Sequence, residues 1–324
     1  RARAWLRATS EQGLIAALAA TEGPVLVLGG GSNLVVADEG FDGTVVEIAT
    51  SGVREDVEGD DPTCGGVLAT VAAGEEWDAF VARAVGSGWV GVEALAGIPG
   101  RVGATPIQNV GAYGQEVAQT IARVRVYDRV LRGVRTFAAA DCGFGYRTSR
   151  FKHDPDRHVV LDVTFQLRQG ALGAPVTYAE LARTLGVEVG GRAPLADVRE
   201  AVLGLRRAKG MVLDPADHDT WSAGSFFTNP VVEPARVPDG APAWPAADGL
   251  VKTSAAWLIE HAGFAKGYGN GPVSLSTKHT LALTNRGGAT TDQLLALARE
   301  VRDGVEAAYG ISLVNEPVLV GCEL

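Results

Sequence analysis

The chain has 324 residues, enough for two domains at roughly 150 residues each. With 46% hydrophobic and 21% charged residues, and no charge-free apolar run of the roughly 18 to 20 residues a membrane helix needs, the composition argues against a disordered chain and a membrane-spanning one. Lys and Arg number 29 against 38 Asp and Glu, a formal charge of −9 that disfavours general nucleic-acid binding and leaves room only for a local basic pocket.

Three cysteines, Cys64, Cys142 and Cys322, are odd in number, scattered and without CxxC spacing. Neither a disulfide framework nor a metal site is expected, which suits a reducing cytoplasm. The first residue is Arg1 and no signal-like segment precedes the first helix, so the N-terminus reads as trimmed. Glycine is the unusual component, with 42 residues against a usual share of about 7%. The glycines gather at Gly29–Gly31, between Gly86 and Gly114, and from Gly263 to Gly271, where backbone must turn sharply or approach something closely.

In chain order, Thr9 and Gln12 form a capping-box start for a helix carrying Leu14, Ile15 and Leu18, stopped by Gly23 and Pro24. Val25–Leu28 reads as a strand, Gly29–Asn33 as a loop and Leu34–Val36 as a second strand. Strands are expected at Thr44–Ile48 and Leu68–Ala73, and Trp77, Phe80, Val81, Ala84 and Val85 mark a helix packed on them. Further strands at Arg123–Tyr127, Val134–Phe137 and Val159–Leu167 complete an α+β first domain. A glycine-containing connector follows, then a helix on Leu195, Val198, Val202 and Leu205 that ends before Gly210. The proline-rich run from Val231 to Ala247 reads as a surface excursion, and Ser254–His261 as a short helix closed by Gly263. Thr290 and Gln293 cap a long last helix with Leu294, Leu297, Ala298, Val301, Val305 and Ala308 facing inward.

Backbone N–H groups in a glycine-rich turn can converge on a pyrophosphate. Gly29–Asn33 suits that use, but a strand follows it where a Rossmann loop opens a helix, and no GxxxxGK[ST] occurs in the chain. Taken alone, a triple glycine between strands is also an ordinary tight hairpin. The run from Ala94 to Gly114 carries one charged residue, Arg101. A buried irregular loop of this kind needs partners for its backbone, and a large ligand is an economical one. Gln108 and Asn109 offer amide contacts to such a ligand, and Tyr113 a flat apolar face.

Five motifs then occur in order: Gly29-Gly30-Gly31-Ser32-Asn33-Leu34, Gly97-Ile98-Pro99-Gly100, Pro106–Gly114, Tyr146-Arg147-x-Ser149-x-Phe151-Lys152 and Gly224-Ser225-Phe226-Phe227-x-Asn229-Pro230. Together they closely resemble the UDP-N-acetylenolpyruvoylglucosamine reductase (MurB) family of peptidoglycan precursor synthesis, over nearly the whole chain. The resemblance implies an α+β architecture. It comprises an FAD-binding domain of the vanillyl-alcohol-oxidase (PCMH) type over 1–168, a connecting segment with a tyrosine loop over 169–205, and a smaller α+β substrate-binding domain over 206–324. It assigns FAD contact to Gly29, Gly30, Gly31, Ser32, Asn33, Ile98, Gly103, Gln108, Gly111 and Ala112. Covalent attachment is not expected, because the first histidine, His153, lies beyond both glycine segments. A Thr-Thr-containing segment that the family carries ahead of the first helix would fall before Arg1.

The same resemblance names residues for the chemistry. Ser225 is similar to the family's proton donor, Arg147 to the residue pairing with the enolate-like carboxylate, and Glu316 to the carboxyl group that polarises it. Around Glu316 the family commonly reads L-E-P-E-V, whereas this chain has Val314, Asn315 and Pro317. Tyr146, Tyr178, Lys209, Asn229 and His279 match the substrate contacts, and Tyr178 ahead of a helix marks the longer family type. The implied reaction is reduction of the enolpyruvyl ether of UDP-N-acetylglucosamine enolpyruvate to UDP-N-acetylmuramate, with NADPH as reductant. NADPH and substrate would share one site in turn on a cytoplasmic monomer, with no nucleic-acid or membrane partner. Two rivals stand beside it, another flavin oxidoreductase of the same fold and a non-catalytic nucleotide-sugar-binding protein. The first would lack the Gly-Ser-Phe-Phe loop and the second would need no flavin.

Overall fold

The structure, a computed structural model, describes residues 1–57, 66–269 and 271–324. The chain divides into two compact units, one of Ala2–Gly31 and Asp42–Arg206, the other of Arg1, Ser32–Phe41 and Arg207–Leu324.

The larger unit contains two larger sheets, besides the short pairing of Gly111–Ala112 with Gln115–Glu116. A three-stranded sheet places Phe41–Ile48 between Ala2–Ala8 and Val25–Leu28, and the latter pairs with it in parallel, Val25 opposite Thr44. The crossover is the helix Glu11–Ala20, which buries Leu14 and Leu18. Its N-cap is Ser10, whose side chain accepts from Gly13 N, so the expected Thr9–Gln12 box is displaced by one residue. The strand Ala2–Ala8 was not apparent in the sequence, because only Ala8 in it is buried and no apolar alternation marks its faces.

The second sheet runs in the order Gly133–Ala138, Ile121–Asp128, His158–Gln169, Gly66–Ala72, Val53–Val57, with Trp89–Val90 paired to the end of His158–Gln169. The central 12-residue strand is buried along most of its length, on both faces, so that besides Val159–Leu161, Val163, Phe165 and Leu167 it also buries the polar Asp162 and Thr164. The helix Trp77–Gly86 buries Trp77, Phe80, Val81 and Ala84. The Trp77, Phe80 and Phe165 rings stand 5.1 to 5.8 Å apart. Truncating such a ring costs about 3–5 kcal/mol. Inside the same sheet the hydroxyls of Thr70 and Thr164 satisfy one another at 2.9 Å.

In the smaller unit Leu34–Val36 pairs in parallel with Val318–Val320, and Val273–Leu275 pairs antiparallel with Leu283–Asn285. The proline-rich run lies at the surface as expected, and it also carries strands. Its ends form a three-stranded antiparallel sheet in which Val251–Thr253 lies between Val231–Val232 and Ala243–Pro245. Proline gives no N–H to a ladder, which keeps Pro245 on a short edge strand. The helix Thr291–Tyr309 begins with the expected Thr290–Gln293 capping box. Its buried side chains are Leu295, Leu297, Ala298, Val301 and Val305, so Leu295 replaces Leu294 as the fully covered residue, and Ala308 is exposed near the end of the helix. These residues share a core with Phe226, Phe227, Leu258, Ile259 and Leu275. Cys142 is buried and Cys322 half-buried, both as free thiols, and Cys64 lies outside the described residues.

Candidate active site

Gly29–Asn33 is not a hairpin turn, since the strands on its two sides belong to different sheets. Within the larger unit the triple glycine meets the Gly97–Gly100 loop. A Cβ on Gly30 would lie 3.0 Å from Gly100 Cα, and one on Gly29 would lie 3.5 Å from the Arg101 side chain. The two segments therefore approach backbone to backbone, and Gly31 (φ 71°) and Gly100 (φ 118°) take conformations that favour glycine. Such a cradle, walled by main chain and free of bulk, fits a flat, phosphate-bearing group.

The loop is anchored from the helix Trp77–Gly86. Asp78 Oδ1 accepts the Gly97 N–H at 2.7 Å, and the carbonyl of Gly100 accepts Trp77 N at 3.1 Å. The other oxygen of Asp78 pairs with Arg199 at 3.0 Å. Ile98 is half-buried. Gly103 is buried, donates its N–H to Ala73 O at 2.8 Å, and would place a Cβ 2.5 Å from Ala73 Cβ, so packing by itself requires glycine there.

A second group in the same unit is built on residues in left-handed backbone: Asn109 (φ 46°), Tyr113 (φ 49°) and Arg147 (φ 53°). Asn109 is buried and bonds internally. Its Nδ2 donates to Glu116 at 2.8 Å and to Gly145 O at 3.0 Å, and its Oδ1 accepts Ala118 N at 3.1 Å. Asn109 is thus bonded within the scaffold, and Gln108 beside it is half-buried. Arg147 donates from Nη2 to Gly111 O at 2.7 Å and lies 5.4 Å from the centre of the Tyr146 ring. Lys152 Nζ donates to Arg147 O at 3.0 Å. Gly111 carries no side chain where a Cβ would stand 3.2 Å from Arg147 Nη1, and Ala112 follows it in the short pairing with Gln115. Tyr178, 40% exposed at the start of the helix Ala179–Leu185, sets its ring edge-on to Tyr113 with centroids 5.4 Å apart.

The smaller unit gathers Ser225, Glu316 and Asn33. Gly224 (φ 78°) turns the chain into Ser225–Phe226–Phe227, which runs antiparallel to Val314–Glu316 through a bridge of Phe227 with Asn315. Glu316 N donates to Phe226 O at 2.8 Å and Thr228 N to Val314 O at 3.0 Å. Phe226 N donates to Leu281 O at 2.7 Å, and Ala282 N to His279 O at 3.1 Å, which brings the His279 loop to the same place. Asn33 donates from Nδ2 to Glu316 O at 3.4 Å and accepts Val318 N at 3.0 Å, and Ser32 beside it is half-buried. Phe226 and Phe227 are buried, while Ser225 and Glu316 are half-buried. Asn229 uses Oδ1 to accept Ala255 N at 2.9 Å, which fixes the start of the helix Ala255–His261. Lys209 is half-buried just after the helix Leu195–Ala208.

The loop bearing His279 is held by two carboxylates that the sequence did not single out. Asp217 pairs with Lys278. Asp219 accepts from Thr277 N at 2.9 Å, from Thr277 Oγ1 and from Arg286 at 2.7 Å. Burial alone would push the Asp219 pKa up, but these donors hold it below the ordinary carboxylate value.

Comparison with known proteins first defines the class. Residues 2–131 match an FAD binding domain, and residues 214–320 match the C-terminal domain of UDP-N-acetylenolpyruvoylglucosamine reductase. The chain is 62% identical over 304 residues to the UDP-N-acetylenolpyruvoylglucosamine reductase of Cutibacterium acnes, covering 93% of this chain and 80% of that protein. It is 63% identical over 314 residues to that of Thermobifida fusca, covering 93% and 87%. The crystal structure of the reductase from Thermus caldophilus aligns with a TM-score of 0.65 at 25% identity, over 98% of this chain and 91% of that one. The chain belongs to the UDP-N-acetylenolpyruvoylglucosamine reductase family. Among the described residues no helix is long and apolar enough to cross a membrane.

Proposed function

We propose that the chain reduces the enolpyruvyl ether of UDP-N-acetylglucosamine enolpyruvate to UDP-N-acetylmuramate, with FAD as bound cofactor and NADPH as reductant. The carrying observation is the pinning of the Ser225 segment against Glu316, in a chain whose N-terminal part is an FAD-binding domain. The glycine segments 29–33 and 97–100, with Gly103, Gln108, Gly111 and Ala112, would hold the cofactor. When bound, FAD supplies the carrier that accepts hydride from NADPH and releases it to the alkene.

The remaining requirements fall on side chains. Ser225 Oγ delivers a proton to the carbon next to the one that takes hydride, so that one hydride and one proton add across the double bond. The buried Phe226 and Phe227 keep water from the Ser225 main chain. Arg147, with its permanently charged fork, binds the enolate-like carboxylate, and its bond to Gly111 O sets the direction of the guanidinium. Glu316 polarises the same carboxylate. Tyr146, Tyr178, Lys209, Asn229 and His279 bind the UDP-sugar part. The reaction takes place in the cytoplasm on a monomer, with residues 1–168 as cofactor domain, 169–205 as tyrosine-loop connector and 206–324 as substrate domain. The test is anaerobic reduction of the purified yellow protein by NADPH, followed by addition of the enolpyruvyl substrate. Prompt flavin reoxidation with formation of UDP-N-acetylmuramate is expected, and a flavin that stays reduced overturns the proposal.

A further inference from the structure

Glu93 is charged, yet none of its surface is exposed. It opens a short turn, Glu93–Leu95, immediately ahead of the Gly97–Gly100 loop. Its two carboxylate oxygens face different parts of the chain. Oε2 accepts the N–H of Gly91 at 2.6 Å, and Oε1 accepts the N–H of Ala174 at 2.6 Å, 81 residues away. Gly173 allows this approach, since a Cβ there would stand 2.9 Å from Glu93 Oε1. The turn itself is tied down by Gln115, whose side chain accepts Ala94 N at 2.8 Å, and by Trp77 Nε1, which donates to Leu95 O at 3.0 Å.

The position of Ala174 gives this contact its consequence. Two residues on, Val176 N donates to Gly191 O and Val176 O accepts Gly190 N, both at 2.8 Å, and Thr177 and Tyr178 then lie against Gly114 and Tyr113. The tyrosine segment is therefore held at its start by a carboxylate rooted beside the glycine loop. Only an acceptor with two oxygens can serve both amides at these distances. Hydrogen bonds to a charged group are the stronger kind, and each is shielded here from competing water.

We propose that Glu93 is the positioning residue for the Tyr178 segment, setting where Tyr178 meets the sugar nucleotide by holding Ala174 and Gly91 at once. The role of Tyr178 in this statement rests on the proposed function, whereas the anchoring by Glu93 does not. Glu93→Gln keeps the shape but leaves one of the two amides a neutral carbonyl oxygen and turns an NH2 donor toward the other. The first measurement is hydrogen exchange of the full-length FAD-loaded protein without substrate. The amides of Ala174 and Val176 should exchange about tenfold faster in the variant, with the sheet amides of residues 158–169 unchanged. The second is substrate affinity, which should fall about five- to tenfold, while flavin reduction by NADPH keeps its rate. Tyr178→Phe and Glu93→Gln should then combine less than additively, because they act on one contact.

Unchanged exchange at Ala174 and Val176 overturns the anchoring outright. Faster exchange with unchanged substrate affinity overturns the link to substrate and points at the reading of Tyr178, as does a Tyr178→Phe protein of normal affinity. Should Glu93→Gln fail to fold, Gly173→Ala tests the same contact from the other side by setting a methyl group against Glu93 Oε1. Normal exchange in that protein also overturns the anchoring.

Discussion

The main-chain N–H of Glu316 donates to the carbonyl of Phe226 at 2.8 Å, so the residue after Ser225 is bonded to the C-terminal carboxylate residue across 90 positions of sequence. This contact orients the Ser225 loop without using the Ser225 hydroxyl. Ser225→Ala should therefore leave the loop in place and remove only the proton donor. Flavin reduction by NADPH should persist, and reoxidation by the enolpyruvyl substrate should slow by about 10² to 10⁴, read by rapid mixing. Normal reoxidation in this protein would remove Ser225 from the mechanism.

Under the proposed function Arg147 needs both its charge and its shape. Arg147→Lys keeps the charge but loses the fork that reaches Gly111 O, so the second half-reaction should slow by about 10² to 10³ in single-turnover measurements. Glu316→Gln should slow the same step. A full rate for Glu316→Gln at every pH would show that no ionisable group is required there.

Local signals in the sequence were legible and distant ones were not. The Trp77, Phe80, Val81, Ala84 stripe and the Thr290–Gln293 box were readable because their partners lie within one or two helical turns. The edge strands Ala2–Ala8 and Val53–Val57 were not, since one is almost wholly exposed and the other reads V-R-E-D-V, so that pairing with neighbours makes them strands. Glycine clusters marked where backbone approaches backbone, as Gly30 and Gly100 do. The anchors of those loops were hidden, because the Asp78 contacts to Gly97 and Arg199 span 19 and 121 residues, and a carboxylate on a helix surface gives no sign of a remote amide.

Gly30→Ala tests the cradle. A methyl group 3.0 Å from Gly100 Cα requires one backbone to move, and an overpacked contact of this kind is worth about tenfold or more in affinity. The purified variant should carry less flavin, and its dissociation constant for FAD should rise by that amount. Acid precipitation of the parent protein should leave the yellow colour in the supernatant, as noncovalent binding requires.

Acid stability should depend on Asp128. Burial would raise its pKa, but Arg157 and the amides of Leu131 and Val130 outweigh it and lower the value from 3.8 to about 2. The folded state thus binds a proton more weakly than the unfolded one. The stabilisation is complete above 3.8 and is lost as pH falls toward about 2. His158 nearby is lowered by burial and adds its own loss on acidification, beginning near its ordinary 6.5. Urea unfolding of the parent and Asp128→Asn should therefore differ at neutral pH, and the loss of the Asp128 charge beside His158 also changes the His158 contribution as the solution turns weakly acid. The gap should close through the Asp128 window, and a gap that stays constant to the bottom of that window would contradict the assignment.

Lys209 and Tyr178 should govern binding of the UDP part and leave the first half-reaction intact. The chain carries a formal charge of −9, so a dianionic diphosphate is repelled on average and needs positive charge placed locally. Lys209 follows Arg206 and Arg207 at the end of the helix Leu195–Ala208, where cations also suit the helix dipole, and its long stem lets an ammonium reach a phosphate oxygen. Lys209→Ala should raise the substrate dissociation constant by about 10- to 100-fold, the worth of a hydrogen bond to a charged group. Tyr178→Phe keeps the ring against Tyr113 and removes only the hydroxyl, so its effect should be smaller and should report a direct bond to the ligand. Titration with UDP-N-acetylglucosamine enolpyruvate gives the affinity, and stopped-flow reduction by NADPH gives the rate of the first step. Weaker binding with reduction maintained would support both assignments, and unchanged affinity in both proteins would place the diphosphate elsewhere.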